Sequence, residues 1–374
     1  MKFDVSSTAL LSRLQSISKV IASKNTLPIL DSFLFELVGN KLIITASDSD
    51  TRLVTSLEVM NVQGSGLFAV SAKILLDPLK ELPEQPLQFD IDDNNLEIFI
   101  YFQNGKYNFI GQKGDTYPQQ KPLAETPASI NIEAQKLLSG LGRSLFATAD
   151  DELRPVMNGV YFDIKTDSLT FVASDGHKLV RLKHLANIAD ERSAFILPKK
   201  PANLLRSILA KEQEVVSVKF DDNNAYFACA NFEMICRLIE GRYPNYNSVI
   251  PAENPFVVNI DRLSLLAALK RVSVFSNASS SLVKLQLKEN NMIVSAQDID
   301  FSTSAEETIS CQYSEEELSI GFKATYLIEI LSNISSDEVM LKLADPSRAG
   351  LILPAQDEEG EELLMLLMPM MLND

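Results

Sequence analysis

The stretch "FVASDGHKLV", residues 171–180, decides how this chain is read. An apolar pair, a short polar group and an aspartate describe a strand running into a turn. The same pattern stands 127 positions earlier as "ITASDSDTRL" from Ile44, and more weakly 122 positions later as "IVSAQDIDFS" from Ile293. Two markers keep nearly the same offset: "DDNN" at 92–95 and 221–224, and "GDTYP" at 114–118 answered by "GRYP" at 241–244. Agreement in order and spacing predicts three domains of one fold, over 1–126, 127–253 and 254–374.

Each third is itself doubled. Its first half opens on a helical pattern: Leu10, Leu14, Ile17 and Ile21; Leu137, Leu138, Leu141 and Leu145; Leu265, Leu266, Leu269 and Val272. Spacings of three or four place these side chains on one face. The second half opens on another helix, in "AKILLDPLKEL", "KKPANLLRSIL" and "KATYLIEIL". Alternating runs such as "KLIITAS", "LEIFIYF" and "VVSVKF" follow the helices and predict antiparallel strands. The expected class is α+β, with six units of a helix followed by strands. Proline-rich connectors, "YPQQKPLAETP" and "YPNYNSVIPAENP", fall at the expected boundaries.

Composition narrows the function. Hydrophobic residues make up 46%, enough for packed cores in a chain of 374 residues. No apolar run approaches a membrane span, and "MKFDVSSTAL" lacks the apolar core of a signal peptide. The three cysteines, Cys229, Cys236 and Cys311, have no metal-ligand spacing, so reduced thiols in the cytoplasm are expected.

The net charge of −16 argues against nucleic acid only if it is evenly spread. It is not. The helical segments 8–23, 73–82, 134–147, 199–211, 261–275 and 322–332 hold fourteen Lys and Arg against four Asp and Glu. The rest of the chain therefore carries −26. Basic helices on one surface suit a phosphate backbone, while acidic surroundings discourage binding elsewhere. Six helices spaced by about 10 Å along one curved wall would close a ring only roughly 19 Å across, which side chains would fill. Duplex DNA needs about 20 Å of free space. Twelve helices from two chains give about 38 Å between axes, so a head-to-tail homodimer is the smallest ring that fits.

Ser174, Asp175 and His177 raise the question of a hydrolase. A nucleophile and its base are normally assembled from distant parts of a chain, not from one turn. The repeat copies keep Asp48 and Asp298 but no histidine, which reads the aspartate as a turn-former. There is no "GxxxxGK[ST]", no "HExxH" and no paired-cysteine zinc motif, so no cofactor and no metal is expected. Three readings are set side by side: a DNA-encircling scaffold, a metal-dependent DNA hydrolase centred on Asp175 and His177, and a repeat-built interaction protein that never meets DNA.

The segments "LPILDSFLFEL" (27–37), "DELRPVMNGVYFDI" (151–164), "FVASDGHKL" (171–179), "GRYPNYNSVIP" (241–251) and "MPM" (368–370) resemble the bacterial sliding clamps, the beta subunits of DNA polymerase III. The resemblance runs from Met1 to Leu372 in one register. It implies three clamp-type domains and a head-to-tail dimeric ring with basic helices inside and sheets outside. It implies no catalysis, but a tether on double-stranded DNA for the replicative polymerase, a clamp loader and other proteins carrying a short apolar peptide. Carried over by motif, the peptide pocket would use Met157, Ser174, Gly176, His177, Lys178, Leu179, Pro244, Val249, Lys323, Tyr326, Leu367, Met368, Pro369 and Met370. Methionines and leucines suit an adaptable apolar floor. Lys24 and Lys73 align with family positions that touch DNA, and Arg13, Lys136, Arg143, Lys200 and Lys270 join them as helix-borne candidates. The chain departs from the family at Lys178 and Met371, where many members have arginine, at the added Asn373-Asp374, and at Pro155-Val156, where family clamps can carry tyrosines.

Overall fold

The computed structural model describes residues 1–119, 122–185 and 189–372; part of the first proline-rich connector and the added Asn373-Asp374 lie outside them. Six α-helices occur among these residues, each overlapping a segment expected to be helical. They are α1 (Ser7–Ser18), α2 (Ala72–Lys80), α3 (Ala134–Ser144), α4 (Lys199–Leu209), α5 (Arg262–Val272) and α6 (Ala324–Ser332).

The unit does not open on its helix, as the periodicity suggested. A short strand leads directly into every one: Lys2–Ser6, Gly66–Ser71, Ala128–Glu133, Ser193–Pro198, Phe256–Asp261 and Leu318–Lys323. At two of these junctions the last strand residue is itself the helix cap. Ser6 Oγ accepts from Ala9 N at 3.1 Å, and Asp261 Oδ1 accepts from Ser264 N at 2.7 Å. Alternation over five or six residues is too brief to stand out beside the longer helical pattern that follows. α1 buries Leu10, Leu14 and Ile17 but stops at Ser18, so Ile21 lies beyond its end.

The leading strands also explain why two units make one repeat. Lys2–Ser6 pairs with Pro86–Ile91 of the following unit, while Gly66–Ser71 pairs back with Ser32–Val38. The exchange recurs between Ala128–Glu133 and Val215–Phe220, and between Ser193–Pro198 and Gly159–Ile164. It recurs again between Phe256–Asp261 and Glu338–Leu343, and between Leu318–Lys323 and Leu282–Lys288. Every pairing is antiparallel.

The chain packs as two compact units, Met1–Leu138 with Asn203–Leu238, and Ser139–Ala202 with Ile239–Asp374. The first holds a five-stranded and a nine-stranded sheet, the second an eight-stranded and a four-stranded sheet. The larger sheets cross between sequence repeats. Thr51–Glu58 pairs with Phe232–Arg237, and Lys178–Leu185 pairs with Glu361–Leu367. Stacked Phe3 and Phe89, 4.7 Å apart, belong to the first unit's core. Leu182, Leu269, Phe322, Leu327 and Met365 share one core cluster of the second. Burying each leucine is worth about 1.5–3 kcal/mol. No helix of the described residues is long and apolar enough to cross a membrane.

Candidate functional site

The opening stretch folds as a strand, Ser168–Ser174, a turn, and a strand, Lys178–Leu185. Two of its polar side chains, Ser174 and Asp175, are consumed by the turn. Asp175 Oδ1 accepts from His177 N at 2.8 Å and Lys178 N at 2.9 Å. Ser174 Oγ donates to Lys178 O at 2.8 Å and accepts from Gly176 N at 3.1 Å. Asp48 Oδ1 likewise accepts from Asp50 N and Thr51 N, at 2.9 and 2.7 Å, and Asp298 Oδ1 from Asp300 N and Phe301 N, at 3.0 and 3.3 Å. All three aspartates are turn-formers, and neither Ser174 nor Asp175 is set to activate the other. Among the described residues no group of three or more His, Cys, Asp and Glu side chains is placed to hold a metal ion.

Only the second turn has Gly176, at φ +90°, a region a side chain rarely adopts. A Cβ there would stand 2.8 Å from Arg154 Nη1, so the glycine admits the arginine across the turn. The exposed His177 ring lies 6.2 Å from the Tyr326 ring of α6. Lys178 is buried, donates to Glu329 Oε2 at 2.6 Å, and lies 3.6 Å from Asp175 Oδ2. The Tyr326 ring has Lys178 Nζ 4.3 Å and Lys323 Nζ 4.7 Å from its centre.

The C-terminal segment is held by its backbone. Leu367 ends the strand opposite Lys178; Met368 N then donates to His177 O at 2.8 Å, and Met370 N to Gly321 O at 2.8 Å. A Cβ on Gly321 would stand 2.8 Å from Met370 O, so glycine is required for the segment to pass. Met368 is 40% exposed, an apolar side chain left open on the tail, and Tyr326 is half-buried. Leu179 packs with Tyr243, Tyr246, Leu351 and Leu366 in a separate buried cluster.

The structure thus brings together Ser174, Gly176, His177, Lys178, Lys323, Tyr326, Leu367, Met368 and Met370. Pro369 lies between the two anchored residues of the tail. Pro244 is exposed beside Tyr243. Met157, buried at the end of the 3-10 turn Pro155–Met157, and Val249, exposed at the end of Tyr246–Val249, lie outside that cluster. Arg154, Gly321, Glu329 and Phe146, whose ring centre lies 5.6 Å from Lys178 Nζ, escaped the sequence reading. Glu329 lies 151 residues from Lys178, and nothing local in either segment links the two.

The basic candidates divide. Lys24, Lys73, Lys200 and Lys270 are exposed. Lys136 is paired with Glu133 at 3.0 Å. Arg13 donates to Asn231 Oδ1 at 2.7 Å and lies over the Phe232 ring. Arg143, 17% exposed, bonds Glu358 and sits 3.2 Å from Glu361 Oε2. Its guanidinium holds the Glu358 carboxyl below the usual carboxylate range. The charge of Arg143 is therefore already engaged within the fold.

Paired strand-helix units, repeated three times along the chain, define a repeat-built scaffold of the clamp type. Three family descriptions match in succession: the N-terminal, central and C-terminal domains of the DNA polymerase III beta subunit, over residues 1–121, 131–245 and 247–370. A beta sliding clamp of Pseudomonas putida is 28% identical over 368 residues, covering 98% of this chain and 99% of its own length. One of Bacillus subtilis is 25% identical over 375 residues, with the same 98% and 99% coverage. Among solved structures, a Bartonella birtlesii DnaN sliding clamp bound to griselimycin superposes with a TM-score of 0.93 at 27% identity, covering 100% of both chains. The DNA polymerase III subunit beta of Pseudomonas aeruginosa does so with a TM-score of 0.93 at 25% identity, again over 100% of both. This chain belongs to the DNA polymerase III beta subunit family, the bacterial beta sliding clamps.

Proposed function

We propose that two copies of this chain close head to tail around duplex DNA and tether the replicative polymerase and other DNA-processing proteins to it. The carrying observation is a pairing rule within the fold. In the third strand after each helix, four of six are joined two by two: Thr51–Glu58 with Phe232–Arg237, and Lys178–Leu185 with Glu361–Leu367. The remaining two, Gly105–Ile110 and Thr303–Ser310, are edge strands of the five- and four-stranded sheets. Unpaired edges invite another chain. The same antiparallel pairing, made between Gly105–Ile110 of one protomer and Thr303–Ser310 of the other, closes the dimer.

In this reading the three repeats are domains over 1–126, 127–253 and 254–374, and the protein works in the cytoplasm without catalysis of its own. Lys24, Lys73, Lys200 and Lys270 face the phosphate backbone, with Arg13, Lys136 and Arg143 contributing longer-range field. The cluster of Gly176, His177, Lys178, Lys323, Tyr326 and Met368–Met370 takes a short apolar peptide from the polymerase, the clamp loader and other partners, with Met157, Ser174, Leu179, Pro244, Val249 and Leu367 completing its walls.

The test is topological. Protein is loaded with a clamp loader onto nicked circular DNA, half the sample is linearised, and both halves are passed through gel filtration in moderate salt. Retention on circles with loss from linear DNA is expected. Equal retention on both would mean direct grip and would sink the ring.

A further inference from the structure

Beside Pro244, in the second compact unit, lies a cavity of about 170 Å³ that no role above explains. Its lining includes Tyr161, Asp163, Arg192, Arg242, Pro244 and Asn245. Asp163, on the strand Gly159–Ile164, is 2% exposed. Its Oδ2 accepts the Tyr246 hydroxyl at 2.8 Å, which fastens the segment that carries Pro244. Its Oδ1 is buried without a hydrogen bond; the nearest cation, Arg192 Nη2, stands off at 3.5 Å. Tyr161 stacks on Tyr243 with ring centres 4.6 Å apart and makes an aromatic wall. Arg192 and Arg242 line the same cavity as that wall.

Three features have to be met at once by an occupant. Two arginines and one aspartate line the cavity, so it has a surplus positive charge suited to a planar anion. A buried carboxylate oxygen lacks a donor, and leaving it so is unfavourable. One wall, Pro244, is shared with the pocket proposed for partner peptides. A nucleic-acid phosphodiester answers the first requirement but brings no donor for Asp163, and a free inorganic anion does not extend along the shared wall at Pro244. An extended peptide with an acidic side chain brings both, a carboxylate for the arginines and a backbone N–H for Asp163 Oδ1. Lys178 is not a rival for that carboxylate, because Glu329 and Asp175 already hold its ammonium.

We propose that this cavity is an anion subsite of the docking pocket, taking the carboxylate of an aspartate or glutamate that flanks the apolar segment of a partner peptide. The proposal rests on the peptide-docking reading above. It makes Arg192 and Arg242 specificity-determining residues, with Asp163 positioning Arg192.

Fluorescence anisotropy with the full-length protein tests it, using short labelled peptides with a central leucine and phenylalanine run. One version has glutamate on the N-terminal flank, one on the C-terminal flank, and one has glutamine on both. One glutamate peptide is expected to bind about three- to tenfold tighter than the glutamine peptide, with the gain shrinking as salt rises. Arg192→Gln and Arg242→Gln should each remove that gain and leave glutamine-peptide binding unchanged, while Arg242→Lys keeps part of it. Arg192 is 71% exposed, so its substitution leaves the core intact. Equal binding of all three peptides to the unaltered protein overturns the subsite and spares the docking pocket. Failure of every peptide to bind overturns both. If the two Arg→Gln variants lose retention on circular DNA while the glutamate preference survives, the arginines serve DNA and the proposal is wrong.

Discussion

Lys178 Nζ donates to Glu329 Oε2 at 2.6 Å while lying 4.3 Å from the centre of the Tyr326 ring, so one buried ammonium joins a strand to two side chains a turn apart on α6. Glu329→Gln removes the charge that compensates it and should cost about 1–3 kcal/mol in urea unfolding. Lys178→Met takes away the buried charge itself and should cost about 1 kcal/mol or less. If the methionine variant proves the less stable of the two, packing rather than charge pairing holds this corner.

The open strand Gly105–Ile110 ends in Ile110, which is 77% exposed. Ile110→Asp should leave the monomer fold intact and shift sedimentation from dimer to monomer, since a charge placed in a strand-to-strand junction is desolvated without a partner. An unchanged dimer would place the junction on another edge.

Lys24 and Lys73 are exposed and lie outside the Lys178–Tyr326 cluster. Lys73→Glu should weaken DNA association and flatten its salt dependence by about 0.9 in log–log slope for each phosphate no longer neutralised. Peptide affinity should stay at its unaltered value. Parallel weakening of both activities would dissolve the division into two surfaces.

Arg143 holds Glu358 below its ordinary pKa. A carboxylate depressed in the folded state stabilises above its unfolded pKa of about 4.3, and that stabilisation fades as pH falls through the folded value. Thermal unfolding of the unaltered protein and of Glu358→Gln should therefore differ at neutral pH and converge in acid below about pH 4. More than half of the Glu358 side chain is exposed, which keeps the gap modest. A difference that persists or grows in acid would assign the effect to something other than this pair.

Much of the architecture was legible in one dimension because it is periodic. Leucine spacing locates all six helices, and the repeated aspartate at 48, 175 and 298 marks a turn in each repeat. What local pattern did not show was the five-residue strand Lys2–Ser6 and its five counterparts, whose partners lie in the next or the preceding unit. Their pairing depends on interactions across the chain, and no local propensity announces it.

By itself, then, the sequence determined a repeated α+β chain with basic helices, acidic surroundings and a glycine-containing turn, since each of these is a matter of spacing and composition. Only the tertiary structure decided which charges are free to act. Arg13 and Arg143 look equivalent to Lys73 in the sequence, yet Asn231 and Glu358, each more than 200 residues away, engage them. It likewise decided that Lys178 meets Glu329 and that Asp163 keeps an oxygen open beside Arg192. The reason is physical: hydrogen bonds and ion pairs act over a few ångströms of space, and distance along a chain carries no information about them until the sheets have brought the partners together.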